Sequence, residues 1–182
     1  MRVIAGRFKS RKLKSAPGLV VRPTPDRLRE ALFNVLAPRI PGTVFLDAYA
    51  GSGAVGIEAL SRGAKHVILI ERNSRAVASI KENLNSLEID SEITLVRGSA
   101  AALVANYPAD IAFIDPPYEK AAEYAACLSA LSGARCSLAI AQHASRVTLS
   151  DRYGTLGKVR VLRHGDNSLS FYETHAPASP GE

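Results

Sequence analysis

From residue 43 onward, short apolar runs alternate with stretches of helical periodicity, and this alternation constrains the fold more than any other feature of the chain. Val44–Tyr49, Val67–Ile70, Ile93–Val96, Ile111–Ile114 and Leu138–Ala141 read as buried strands. Between them, Ala54–Ser61 (closed by Gly63), Ser74 to about Leu87, and stretches near 99–106 and 119–131 read as helices. Successive βαβ units are right-handed and build a parallel sheet covered by helices on both faces. The pattern changes near the end, where Val159–Arg163 and Leu169–Tyr172 flank Gly165-Asp166-Asn167 and predict an antiparallel hairpin. The expected fold class is α/β, a doubly wound and mostly parallel sheet finished by antiparallel strands.

The segment ahead of this core differs in charge. Residues 1–40 carry ten Lys and Arg against two acids, and the remainder thirteen against fifteen, so the net +6 of the chain resides in its first part. Residues 2–21 interleave Val3, Ile4, Phe8, Leu13, Val20 and Val21 with cations around Pro17-Gly18, which suggests a hairpin with one basic face. Thr24 as N-cap and Pro25 at the first position open a helix with stripe Leu28, Ala31, Leu32, Val35 and Leu36, ended before Pro38. Arg2, Arg7, Lys9, Arg11, Lys12 and Lys14 are the expected contacts to nucleic-acid phosphates. The plainer reading is a solvated face, with Arg22, Arg27 or Arg29 pairing with Asp26, Glu30 or the body. Residues 1–40 are thus expected to form an arm and helix and 41–175 the catalytic core of one domain, with 176–182 a disordered tail.

The length of 182 residues suits one domain. No run approaches the ~18 apolar residues of a membrane span, and Met1–Arg7 lacks the apolar stretch of an export signal. Cys127 and Cys136 do not make a disulfide framework and are expected as buried thiols in a reducing cytoplasm. His66, His143, His164 and His175 are scattered, so no metal is expected.

Two loops at strand ends carry the chemistry. Asp47-Ala48-Tyr49-Ala50-Gly51-Ser52-Gly53-Ala54-Val55-Gly56 joins the first strand to its helix, and Gly51, Gly53 and Gly56 satisfy GxGxxG. Small residues let backbone approach a ligand, and Glu71, twenty residues after Gly51, can accept two ribose hydroxyls. Asp47 opposes a pyrophosphate and suits a ligand bearing an ammonium, as S-adenosylmethionine does. Asp47, Ala50, Gly51, Ser52, Gly53, Glu71 and Arg72 are the candidate cofactor residues, with Ser99 and Ala100 near the adenine. The second loop, Asp115-Pro116-Pro117-Tyr118, follows the fourth strand. Its two prolines lack donors and stiffen the loop, so a carboxylate, free carbonyls and an aromatic face are displayed together to a planar group bearing an NH2.

With Met1–Gly6, RPTPDRLREALFNVL (Arg22–Leu36), DAYAGSGAVGIEALSRGA (Asp47–Ala64), Tyr153-Gly154, Gly165-Asp166 and Phe171-Tyr172, these loops resemble the bacterial 16S rRNA guanine-N2-methyltransferase family over nearly the whole chain. RPTPDRLREALFN discriminates, because many methyltransferases share the glycine loop and DPPY. The resemblance implies a Rossmann-like, S-adenosylmethionine-dependent enzyme acting on one guanine amine of small-subunit rRNA. Gly98-Ser99-Ala100 departs from the acid sometimes found near the adenine.

On this reading Asp115 and the Pro116 carbonyl accept from the guanine N2 amine and Tyr118 stacks on the base, contributing on the order of 1–3 kcal/mol. The base must leave its stack to arrive there. Rivals are a DNA adenine-N6 or protein-glutamine methyltransferase, a nicotinamide oxidoreductase, and a non-catalytic RNA-binding assembly factor. No long apolar helix face calls for a dimer, and a monomer is expected.

Overall fold

The computed structural model describes residues 1–16, 26–117 and 121–174. Helix α1 (Asp26–Leu36) precedes a core of β1 (Val44–Asp47), α2 (Ala54–Ser61), β2 (His66–Glu71), α3 (Ser74–Ser86), β3 (Ile93–Arg97), α4 (Ala100–Leu103), β4 (Ala109–Ile114), α5 (Ala121–Ser132) and β5 (Cys136–Ala144). Strands β6 (Arg152–Tyr153), β7 (Leu156–His164) and β8 (Asn167–Thr174) follow. All eight strands form one sheet in the order β3-β2-β1-β4-β5-β8-β7-β6. The first five are parallel, and β8 runs antiparallel between β5 and β7.

Alternation along each strand divides the core. Phe45, Val67, Leu69, Ile111, Phe113, Leu138 and Ile140 face α1, α2, α3 and the amino-terminal arm. Leu46, Ile68, Ile70, Ala112, Ile114, Ala139 and Ala141 face α4 and α5. Buried on both faces, these strands are continuous apolar runs, which is why the sequence betrays them. Helix α2 is buried at every position because it lies between sheet and arm. Its Gly56 permits that approach, since a Cβ there would sit 2.3 Å from Leu69 Cδ2. Helix α3 is opened by Asn73, whose Oδ1 accepts from the N–H groups of Arg75 and Ala76 at 2.9 and 3.2 Å.

Expected and observed elements coincide closely, with instructive exceptions. Strand β1 stops at Asp47 rather than Tyr49, because the chain turns there into the glycine loop. The helical stretch near 99–106 is one turn of α4 followed by a 3-10 turn at Val104–Asn106. Strand β6 had no signal in the sequence. The amino-terminal hairpin is tighter than expected: Arg2 bridges Lys12, Val3 N–H donates to Arg11 O, and the chain reverses near Gly6–Ser10. Gly6, at φ 79°, packs so closely that a Cβ would lie 1.8 Å from Ser61 O. Arg29, which the plainer reading paired with Asp26, Glu30 or the body, is 0% exposed and does pair with Asp26. Burial lowers its pKa, and its Nη2 donates to Arg2 O and Asp26 Oδ1. Thr24, Pro25, Pro17-Gly18, Val20, Val21, Arg22 and the tail lie outside the described residues. Cys127 and Cys136 are buried free thiols, as expected. No helix among the described residues is long and apolar enough to cross a membrane.

Candidate active site

The sheet order reverses direction at β1, which pairs with β2 on one side and β4 on the other. In open α/β sheets, ligands bind at the carboxyl edge beside such a reversal. Asp47 ends β1, Glu71 ends β2, Gly98-Ser99 follows β3, and Asp115-Pro116-Pro117 follows β4. Four expected groups therefore converge on one edge, although they are spread over 69 positions of sequence (47 to 115).

Asp47 is 1% exposed, and its Oδ1 has no hydrogen-bond partner among the described residues. Burial pushes its carboxyl up to about 7, against the lowering effect of the Tyr49 and Gly56 N–H groups. The nearby Glu71 charge pushes the same way as burial. A buried acceptor left unpaired costs about 1–3 kcal/mol. A cationic donor arriving from a ligand would remove that cost.

Glu71 shapes the loop in front of Asp47. Its Oε2 accepts from Gly51 N–H at 2.8 Å and its Oε1 from Asn73 N–H at 2.7 Å, so both oxygens are fixed in position with lone pairs remaining. Gly51 and Gly53, at φ 57° and 80°, turn the loop, and Gly53 caps α2. Ala50 N–H donates to Ile70 O at 3.0 Å, which ties the loop to β2. Arg72 and Ser99 are exposed on this edge, whereas Ala100 is 4% exposed and packs under the sheet.

Across the reversal, Asp115 is half-buried, Pro116 buried and Pro117 exposed. Tyr118 lies outside the described residues. Ala48 N–H donates to Phe113 O at 2.9 Å, so the two loops leave the sheet side by side. Tyr49 reaches the α5 side, where its hydroxyl donates to Glu123 Oε2 at 2.5 Å and lies 3.2 Å from Cys127 Sγ. Burial raises the pKa of that phenol, which therefore stays protonated.

The arm is fastened close by. Glu58, 0% exposed on α2, accepts from Ile4 N–H at 2.7 Å, Ala5 N–H at 3.0 Å and Arg62 Nε at 2.7 Å. Asn83 on α3, 1% exposed, bonds Lys14 through both N–H and carbonyl, and its Nδ2 also donates to Ser52 O in the glycine loop at 3.0 Å. Of the six arm cations, Arg7 pairs with Glu92 at 2.8 Å, Lys14 with Glu82 at 3.0 Å, and Arg11 donates to Ser86 O at 2.5 Å. Arg2, Lys9 and Lys12 are exposed and form no ion pair among the described residues. Sequence reasoning missed Glu58 and Asn83. A lone acid inside the apolar AVGIEALS helix was a usable signal for Glu58; nothing local marks Asn83.

A family model described as conserved hypothetical protein 95 matches residues 1–173. The chain belongs to this family. Its relative YlbH of Bacillus subtilis (strain 168), which bears a provisional rRNA methyltransferase name, is 35% identical over 182 residues, covering 95% of this chain and 98% of YlbH. Ribosomal RNA small subunit methyltransferase D of Escherichia coli (strain K12) is 42% identical over 124 residues, a match spanning 66% of this chain and 61% of that protein. The solved structure of yhhF from Escherichia coli, provisionally named a methyltransferase, superposes with a TM-score of 0.82 at 32% identity, covering 97% of this chain and 99% of that one. The architecture is the Rossmann-like methyltransferase fold that the sequence led us to expect.

Proposed function

We propose that the chain transfers a methyl group from S-adenosylmethionine to the exocyclic N2 amine of one guanine in small-subunit ribosomal RNA. The observation that carries this reading is the placing of Asp115-Pro116-Pro117 directly across the sheet reversal from Asp47 and its glycine loop. The names of the relatives support rRNA as the substrate. The resemblance of Arg22–Leu36 to the guanine-N2 family supports the choice of amine.

The residues present fit the methyl donor. Asp47 offers a buried, unpaired acceptor to an ammonium. Glu71, held by two backbone N–H groups, offers lone pairs to ribose hydroxyls. Gly51, Ser52, Gly53 and Ala50 let the backbone come close, and Arg72 and Ser99 border the adenine end, while Ala100, expected there, packs in the core. S-adenosylmethionine bound there supplies a methyl carbon on a sulfonium sulfur. Asp115 and the Pro116 carbonyl accept from the two N2 protons, which favours a pyramidal nitrogen whose lone pair can attack in line. Pro117 stiffens the loop, and Tyr118 stacks on the base. Asp115 or water would take the surplus N2 proton as the methyl is given up by the bound donor, whose sulfur leaves as a thioether. Most of the acceleration comes from positioning. The arm holds rRNA phosphates, chiefly through Arg2, Lys9 and Lys12, with Arg7, Arg11 and Lys14 contributing less because the body already engages them.

The enzyme acts as a single-domain cytoplasmic monomer on rRNA or on the small subunit. The test is transfer of labelled methyl to unmodified rRNA and subunits, followed by mapping of the modified base. Asp115→Ala is expected to lower transfer by about 10²- to 10³-fold, on the scale of removing a central transition-state interaction, with cofactor affinity largely unchanged. Near-normal turnover in that variant would refute the assignment.

A further inference from the structure

Strand β5 outruns its parallel neighbour. Its pairing with β4 ends at Ile114 beside Ala141, while β5 continues to Ala144 against β8 alone among the described residues. The residue after Ala141 is Gln142, so its free flank is the place where Asp115-Pro116-Pro117 begins. Prolines bring no N–H to that flank. Tyr124, on α5, donates its hydroxyl to the Gln142 carbonyl at 2.8 Å. Side-chain alternation then places the amide. Ile114 and Ala141 pack toward α4 and α5, whereas Phe113 and Ile140 pack toward the arm and α1. Gln142, opposite Leu169 of the arm-side core, falls on the same face as Phe113. Asp115 is the next position of β4's alternation on that face.

Gln142 is 3% exposed, and its Oε1 has no hydrogen-bond partner among the described residues. Such an orphan lowers the folding equilibrium by about fivefold to a hundredfold relative to a satisfied group. An apolar residue of the same size would avoid that loss.

We propose that Gln142 determines base specificity, with its Oε1 accepting the N1–H of the guanine whose N2 amine is held at Asp115. The inference rests on the guanine-N2 reading above. Guanine presents two adjacent donors, N1–H and N2–H. Adenine presents an amine beside an N1 lone pair. Two acceptors on neighbouring strands, roughly 4.8 Å apart at the backbone, suit guanine and set lone pair against lone pair for adenine. Rejection by a buried group left unpaired is the strongest discrimination a binding site offers.

The experiment compares rRNA carrying guanine at the mapped position with rRNA carrying 2-aminopurine there. The analogue keeps the N2 amine and has a lone pair in place of N1–H. The parent is expected to prefer guanine. Gln142→Met, similar in volume but without the acceptor, is expected to lose about tenfold to a hundredfold in kcat/KM on guanine. The same variant should keep its 2-aminopurine rate and its cofactor affinity by calorimetry. Comparing two enzymes on the same pair of RNAs cancels the analogue's other differences, including its missing O6. Gln142→Glu, which keeps an oxygen acceptor, is expected to retain the preference for guanine; a loss of preference there counts against the proposal. An unchanged guanine to 2-aminopurine ratio in Gln142→Met, with the parent active on guanine N2, overturns it. A parent that transfers no methyl to guanine N2 overturns the underlying reading instead, and this inference with it.

Discussion

Replacing Asp47 with Asn tests the cofactor site by its protons. Burial raises this carboxyl from its ordinary 3.8 to about 7. Below 3.8 the folded and unfolded states both hold the proton and the shift has no effect on stability. Between 3.8 and about 7 the folded state binds more protons, so stability falls as pH rises. Above about 7 both states are ionised and the full cost, roughly 4 kcal/mol, is present. Asn keeps an acceptor for the Tyr49 and Gly56 N–H groups and cannot ionise. In urea unfolding of the ligand-free protein, Asp47→Asn should therefore gain on the parent by about 2–3 kcal/mol between pH 5 and pH 8. A cationic ligand reverses the logic, because it favours the carboxylate. Cofactor binding to the parent near pH 6 should release close to one proton, read by calorimetry in buffers of different ionisation enthalpy. The release should fade above about pH 8 and be missing from the variant. Unfolding curves for parent and variant that stay parallel from pH 5 to pH 8 would refute the reasoning.

Glu58→Ala should cost about 3–5 kcal/mol in denaturant unfolding, because it strands two arm N–H groups and Arg62 around a former buried charge. Proteolysis should then begin within residues 1–16; a cost under about 1 kcal/mol would contradict the buried-clip role. Neutralising Lys9 and Lys12 to Gln should reduce the slope of log binding constant against log salt on rRNA by roughly 0.7–0.9 for each phosphate left without its cation. Arg7→Gln should change that slope less, since Arg7 already pairs with Glu92; filter binding across a salt series separates the two.

The parallel core was legible because its strands are buried on both faces, so each appears as an uninterrupted apolar run. The strand-end groups were legible for the same reason, as Asp47, Glu71 and Asp115 each close such a run. The arm was harder. Its composition announced a basic surface, and Asp26, three positions from Arg29, was a readable partner, yet Arg7, Arg11 and Lys14 bond partners between 68 and 85 positions away. No local pattern encodes such a partner. Asn83 and Gln142 were invisible because an amide in a helix or strand carries no periodic signal; only the fold shows that one is buried between arm and loop and the other beside the DPP turn.

The bonds of Asn83 carry a thermodynamic consequence. One buried amide grips Lys14 of the arm and Ser52 of the glycine loop together. If the arm holds RNA as proposed, ordering of the arm by that polyanion would reach the loop through the same side chain. Linkage is reciprocal, so the factor by which RNA tightens the methyl donor equals the factor by which the donor tightens RNA. On that reading salt, which acts on the arm's outer charges, would act at a distance on the small-molecule pocket as well.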